Sequence, residues 1–160
     1  MFSCLPKATA AVVVAASLTS SVRAECVRIS PKLLLDGPDS EAVFSGKVVE
    51  VTRTGELGYR ATFEVDQVWA GKVPRRFEVY VWEMAAETPR YREGETYVAA
   101  VKRLVDKKAR EAVGLNDPQV VAFTGVTCSD GWSVEEFVRG AGPGKPPIDE
   151  RGQAPKRGPK

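Results

Sequence analysis

The clearest hydrophobic pattern in the chain is a strict alternation from Tyr59 to Asp66. Apolar side chains occupy every second position, and charged or hydroxyl side chains occupy the positions between them. A period of two predicts a strand with one buried face. The alternation then changes phase, because Val68 and Trp69 are consecutive, and Gly71 ends the run.

Four further segments have the composition of strands, namely residues 43–52, 77–82, 95–104 and 119–126. In the first of them the apolar face shifts near Gly46, which predicts a bulge or a bend of the kind that small barrels use to close. The third is an almost continuous apolar run, so we expect it to be buried on both faces. Regularly spaced strands of this kind predict a small all-β barrel or a sandwich.

Two short helices are predicted outside the strands. Ser133 and Glu136 fit a capping box ahead of Phe137, and we expect Gly140 to end that helix. Residues 31–35 are expected to form one helical turn that packs on the barrel.

The connection between the last two strands, residues 106–118, is charged and ends in an Asn-Asp-Pro turn signal. We interpret it as a solvated hairpin loop. A helix is the alternative, because Lys107 and Glu111 have the spacing of a helical ion pair. The stretch 54–58 contains two glycines and is predicted to be the turn between the first two strands.

The start of the chain predicts an exported protein. Residues 1–24 combine Lys7, a short apolar run and small residues ahead of a cleavage position after Ala24, which is the pattern of a signal peptide. The apolar run is too short to cross a bilayer as a helix, although an uncleaved anchor is the alternative interpretation. We therefore expect a secreted or periplasmic protein with one folded domain over residues 25–140.

The charge distribution argues against nucleic acid as a partner. The formal net charge is +2, and removal of the predicted leader with Lys7 and Arg23 brings it to zero. Residues 141–160 carry an excess of basic side chains among many Pro and Gly residues. Such a segment buries too little apolar surface to fold, so we predict a disordered basic tail. A domain without a basic surface is a poor candidate for nucleic-acid binding.

Two cysteines, Cys26 and Cys128, follow the predicted leader. In an oxidising compartment they are expected to form a disulfide. In the chain-entropy model a loop of this length is worth about 4–5 kcal/mol. Free thiols or an intermolecular bridge are the alternatives. The chain contains no histidine, which argues against a zinc site, and we expect no metal and no cofactor.

Four short motifs in a fixed order carry a family resemblance: residues 42–51 (AVFSGKVVEV), 62–69 (TFEVDQVW), 94–98 (GETYV) and 127–129 (TCS). Together with the two cysteines they resemble the netrin-like domains of the tissue-inhibitor-of-metalloproteinases superfamily, and in particular its small exported bacterial members. The resemblance covers residues 26–137. It implies an OB-type five-stranded Greek-key barrel with one or two short helices, in which Cys26 is linked to the end of the fifth strand at Cys128.

The same resemblance raises metalloprotease inhibition as a function. Inhibitors of this superfamily begin with a cysteine whose free amine chelates the zinc of the protease, and the contacts would here fall on Glu25, Cys26 and Val27. Cleavage after Ala24 would instead lock the amine of Cys26 in a peptide bond. Many relatives also carry a cysteine just before the GExY motif, and this chain has none there.

We predict an exported, non-enzymatic binding module whose partner is a protein, for instance a zinc metallopeptidase. Inhibition of a metalloendopeptidase and binding of a carbohydrate or envelope polymer are the alternatives. OB barrels bind through the face of strands two and three, where the aromatic candidates are Tyr80, Trp82 and Trp69; for the two tryptophans, packing on the barrel is the alternative. A chain without histidine lacks the usual general base, so we do not expect an enzyme.

Overall fold

Alternating apolar positions form the interior of a closed five-stranded β-barrel of the OB type, as predicted. The computed structural model describes residues 29–82, 90–126 and 131–149 of the chain. The strands are β1 (Ala42–Arg53), β2 (Gly58–Ala70), β3 (Arg76–Trp82), β4 (Thr96–Arg103) and β5 (Phe123–Gly125). The helices are α1 (Pro31–Asp36), α2 (Lys107–Ala112) and α3 (Val134–Ala141).

The strands close in the order β1-β2-β3-β5-β4. Strand β5 lies between β3 and β4, parallel to the first and antiparallel to the second. Strands β3, β5 and β4 are therefore neighbours in the barrel wall, although β4 precedes β5 in the chain.

The bulge predicted at Gly46 is confirmed. The register of β1 against β2 shifts between Ser45 and Gly46. A Cβ atom at Gly46 would lie 2.6 Å from the carbonyl oxygen of Glu64, so the close approach of the two strands requires glycine there. A second shift, between Val43 and Phe44, accompanies the change of phase in β2.

Aromatic rings fill the barrel interior. Phe44 meets Phe63 and Phe77 edge to face, with ring centroids 5.4 and 5.3 Å apart, and Phe63 meets Tyr91 at 5.0 Å. All four rings are buried. Full burial of one such side chain contributes about 1.5–3 kcal/mol, so this cluster accounts for much of the stability of the barrel.

Strand β4 is buried on both faces, as its continuous apolar run predicted. Ala99 belongs to the interior cluster, whereas Val98 and Ala100 belong to a second cluster on the outside. The second cluster includes Leu34 of α1 and Phe137 of α3. Helices α1 and α3 therefore cover the outer face of β4.

The connection between β4 and β5 differs from its prediction. The predicted solvated loop contains helix α2, whose N-cap Asp106 accepts a hydrogen bond from Ala109 N at 2.8 Å. Ala109 and Val113 pack on Leu104 and Ala122. Burial of this face stabilises the helix, which the local sequence offered only as the alternative to a loop.

The fifth strand is shorter than the predicted span 119–126, because residues 117–120 form a turn. The carboxylate of Asp117 accepts a hydrogen bond from Gln119 N at 2.8 Å, and the Asp117 carbonyl accepts one from Val120 N at 3.3 Å. These bonds hold the start of the predicted strand out of the sheet.

Helix α3 has the predicted capping box between Ser133 and Glu136 but does not end at Gly140. It continues to Ala141 and is closed by Gly142, which has a positive φ of 78°. Gly140 has a different role, because a Cβ atom there would lie 3.0 Å from Cγ of Pro31. Its missing side chain lets α1 and α3 approach each other.

The segment predicted to begin the disordered tail is ordered next to β2. Lys145 and Val68 exchange two backbone hydrogen bonds of 2.7 and 2.8 Å, and Ile148 N donates to Val73 O at 3.0 Å. The reason is that β2 presents backbone groups at its bulged end that this segment satisfies. The predicted signal peptide, Glu25, Cys26, Val27, Cys128 and the last eleven residues lie outside the described residues. Within the described ranges, no helix is long and apolar enough to cross a membrane.

Candidate functional site

The outer face of β3, β5 and β4 carries a row of polar side chains. Thr124 of β5 pairs with Tyr80 of β3 on one side and with Lys102 of β4 on the other. Because cross-strand partners lie on the same face of a sheet, these three side chains stand in one row. The placement of β5 between β3 and β4 creates the row.

Helices cover this face at both ends and leave a gap between them. At one end α2 packs on Leu104 and Ala122, with Tyr80 at its edge. At the other end α3 covers Val126 and Ala100. Between them lies a groove of about 430 Å³, whose lining includes Trp82, Arg90, Lys102, Arg103, Val105 and Thr124. We call it the β3–β5–β4 groove.

The three aromatic residues predicted as binding contacts have different positions. Trp82 lines the groove and is 38% exposed. Tyr80 lies on the same outward face, partly buried against the α2 cluster. Trp69 is outside the groove, because its ring packs on Phe137 at a centroid distance of 4.7 Å. Of the three, the structure thus brings Trp82 to the groove.

Among the described residues, the groove lining holds three cations, Arg90, Lys102 and Arg103, and one acid, Asp106. The Asp106 carboxylate caps α2. Arg103 forms an ion pair with Glu41, with 3.0 Å between Arg103 Nε and Glu41 Oε2.

The remaining two cations differ in how they are held. Arg90 donates to the carbonyl oxygen of Val126 at 3.0 Å, and its guanidinium lies 5.7 Å from the ring centre of Tyr91. Lys102 is exposed and forms neither an ion pair nor a hydrogen bond through its side chain within the described part of the chain. Its ammonium group is therefore available to a ligand.

One exposed valine, Val105, lines the groove, and a second, Val121, lies outside its lining. Val105 is 80% exposed and Val121 is 65% exposed. Leu104 N donates to Ala122 O at 2.9 Å, so the antiparallel register continues beyond the ends of β4 and β5 and places Val105 opposite Val121. Exposed apolar side chains beside cations are typical of a contact surface.

The face of strands β2 and β3, where OB barrels usually bind their ligands, carries charged side chains that pair with each other. Arg60 Nη1 lies 3.5 Å from Glu78 Oε1, and Arg76 Nη2 lies 3.2 Å from Glu50 Oε2. Charges that already pair with each other offer less to a ligand. The aromatic side chain Trp82 stands at the end of this face, next to the groove.

Sequence reasoning missed most of the groove. The signal was the change from apolar to basic residues at Lys102 and Arg103, followed by the isolated Val105. The predicted hairpin between the last two strands pairs β4 with β5, but it does not give the register that sets Thr124 opposite Lys102.

The described residues contain no group of three or more histidine, cysteine, aspartate or glutamate residues that could hold a metal ion. A shifted pKa occurs away from the groove, at Tyr97 of β4. Burial raises the pKa of Tyr97 above its ordinary value of 10.0, and a hydrogen bond of 2.6 Å from its hydroxyl to Glu95 raises it further. This phenol stays protonated at neutral pH and acts as a structural donor.

Comparisons with protein-family models, with curated proteins and with solved structures found no match to this chain.

Proposed function

We propose that this protein is an exported, non-enzymatic binding module whose β3–β5–β4 groove holds a segment of another protein. The observation that carries the proposal is the exposed ring of Trp82 beside the ammonium group of Lys102, which has no ion-pair or hydrogen-bond partner among the described residues. Tryptophan is usually largely buried, and exposed tryptophan and arginine side chains are enriched at the centres of protein interfaces.

The size and shape of the groove support a ligand that inserts side chains. Its volume of about 430 Å³ lies within the ordinary range of ligand sites, about 300–1,000 Å³. The floor is formed by strands of a closed barrel, so the groove needs little rearrangement to accept a partner. A site that is already formed loses little affinity to ordering.

Inhibition of a metallopeptidase and binding of an envelope polymer rank behind this proposal. The residues expected to contact a protease, Glu25, Cys26 and Val27, lie outside the described residues. A neutral polysaccharide would use Trp82 but would offer no opposite charge to the ammonium group of Lys102.

The test is a selection of random displayed peptides on the purified chain. Peptides selected on the native protein should bind the Trp82→Ala variant at least about tenfold more weakly. Leu33→Ala, which removes an exposed apolar side chain of α1 outside the groove, should leave their binding unchanged.

Two results would overturn the proposal. One is that no peptide is enriched or that both variants bind the enriched peptides equally. The other is a large fall in the thermal stability of Trp82→Ala, which would make Trp82 a packing residue.

A further inference from the structure

We infer that the segment held in the groove is acidic, an extended peptide that places a carboxylate on Lys102 and Thr124 and an apolar side chain on Trp82. This inference rests on the proposed function, because it specifies the partner of the same groove. It adds the chemistry that the partner must present.

The charges of the groove favour an acidic partner. In the part of the chain that the structure describes, three cations and one carboxylate line the groove, and that carboxylate, Asp106, already accepts the Ala109 N–H of α2. The charge of Arg103 is balanced by Glu41. Lys102 makes no ion pair within the described residues, so it leaves a positive charge in the groove that attracts a partner with negative charge.

The hydrogen-bonding groups of the groove favour a carboxylate. Lys102 and Thr124 are direct cross-strand partners, so their Cβ atoms are about 4.5–5.5 Å apart. Neither side chain makes a hydrogen bond within the ranges that the structure describes. A carboxylate, which has two acceptor oxygens, can accept from the ammonium and the hydroxyl group together.

The apolar groups and the concave shape favour a peptide over a membrane surface. Trp82 and the exposed Val105 both line the groove. The polar row at Thr124 lies between the parts of the face covered by α2 and α3. An extended peptide can enter such a gap, whereas a flat lipid surface would contact the rim.

The spacing of the strands suggests the pattern of the peptide. Trp82 lies two residues beyond Tyr80 on β3, and Tyr80 belongs to the same row as Thr124 and Lys102. Two residues of a strand span about 6.6 Å, which is also the distance between alternate residues of an extended peptide. A peptide with an acidic residue and an apolar residue two positions apart therefore fits both contacts.

The experiment uses a fluorescently labelled, end-blocked hexapeptide of sequence EELLEE, titrated with the purified chain and followed by anisotropy. When this peptide is extended, each of its two faces presents a glutamate, a leucine and a glutamate in turn. The control peptide QQLLQQ lacks the carboxylates, and the control peptide EEAAEE lacks the large apolar side chains. Both controls should bind about tenfold more weakly or worse, since each lacks one of the contacts.

Two lysine variants separate a specific contact from general attraction. Lys102→Met and Lys72→Met lower the net charge equally, and both lysines are exposed, but only the first lines the groove. Lys102→Met should weaken binding of EELLEE about tenfold, whereas Lys72→Met should change it less than about twofold.

Equal losses in the two variants, or equal binding of QQLLQQ and EELLEE, would overturn the inference. So would phosphatidylserine vesicles that bind the chain through Lys102 and Trp82 when EELLEE does not bind, because the surface would then serve a membrane. If the displayed-peptide selection yields Trp82-dependent ligands that are neutral or basic, the acidic partner is wrong while the proposed function stands. If it yields no Trp82-dependent ligands, the proposed function itself fails.

Discussion

The indole Nε1 of Trp69 donates a hydrogen bond of 2.7 Å to the carbonyl oxygen of Gly142, which closes helix α3. The same ring packs edge to face on Phe137. Trp69 therefore joins β2, α3 and the beginning of the C-terminal segment. This contact explains why one of the predicted binding tryptophans is absent from the groove.

The first prediction concerns this contact. Trp69→Phe keeps an aromatic ring but leaves the partly buried Gly142 carbonyl without its donor, so the free energy of unfolding should fall by about 1–3 kcal/mol. The matched variant Trp82→Phe alters an exposed ring and should change it by less than about 0.5 kcal/mol. Urea denaturation of both variants measures the difference. Similar losses in the two variants would contradict the division of roles between the tryptophans.

The second prediction concerns the bulge in β1. Gly46→Ala should destabilise the barrel by about 1–3 kcal/mol, because the new Cβ atom would lie 2.6 Å from Glu64 O, a backbone atom of the paired strand. The comparison variant is Gly94→Ala, where nothing lies within 4 Å of a Cβ atom and the cost is that of a positive φ of 85°, about 1–2 kcal/mol.

Thermal unfolding and amide hydrogen exchange of β1 and β2 together test the bulge. Gly46→Ala should speed exchange along the paired strands, whereas the effect of Gly94→Ala should remain in its turn. Unchanged exchange in β1 and β2 for Gly46→Ala would refute the close-approach argument.

The third prediction concerns Arg110 of α2, which links the end of β4 to the connection that precedes β5. Its guanidinium donates to the carbonyl oxygens of Leu104, Asp117 and Val120 at 3.0, 2.7 and 2.9 Å. A lysine lacks the planar fork that reaches several acceptors at once, so Arg110→Lys should lower the free energy of unfolding by about 1.5–3 kcal/mol.

Arg75→Lys is the control for that change, because Arg75 is exposed and forms one ion pair with Glu64 at 3.7 Å. An exposed pair of this kind is worth about 0–1 kcal/mol, so the control should be nearly neutral. Faster amide exchange over residues 115–122 in Arg110→Lys alone would confirm that the guanidinium orders this connection. Equal exchange in both variants would show that it does not.

The fourth prediction concerns stability at high pH. The folded state raises the pKa of Tyr97, so above pH 10 the unfolded chain loses its proton before the folded chain does. Stability from this group is fully present below pH 10 and is lost as the pH rises through the higher folded-state pKa.

Tyr97→Phe removes this contribution, so the difference in unfolding free energy between the native protein and the variant should shrink as the pH rises from neutral to about 11. The comparison cancels the other tyrosines and the lysines, which titrate in both proteins. In the native protein, part of the tyrosinate absorbance should also appear at a higher pH than the one at which an exposed tyrosine ionises. A difference that stays constant with pH would contradict the assignment.

Several local features could be predicted from sequence because their causes are local. The alternation around Phe63 predicted the buried face of β2, and Gly46 predicted the bulge. Ser133 and Glu136 predicted the capping box of α3, since both partners lie within one turn. The end of that helix was misplaced because Gly140 serves a contact with Pro31, which no local pattern reveals.

The candidate site was predicted in part. Trp82 was selected as an aromatic contact on the outward phase of β3, and it lines the groove. Trp69 was selected for the same reason but packs on α3. Lys102 and Thr124 were missed, because they become neighbours only through the register of β4 against β5, which no local pattern predicts.

By itself, the sequence determined strands β1 to β4 and their buried faces, the bulge and the N-terminal cap of α3, because side-chain period, glycine geometry and capping act over a few residues. Tertiary structure alone decided the length and register of β5 between β3 and β4, the formation of α2 against Leu104 and the docking of Lys145 on Val68. These features depend on contacts between residues far apart in the chain, whose free energy appears only when the barrel closes. The groove beside Trp82 is a product of that closure.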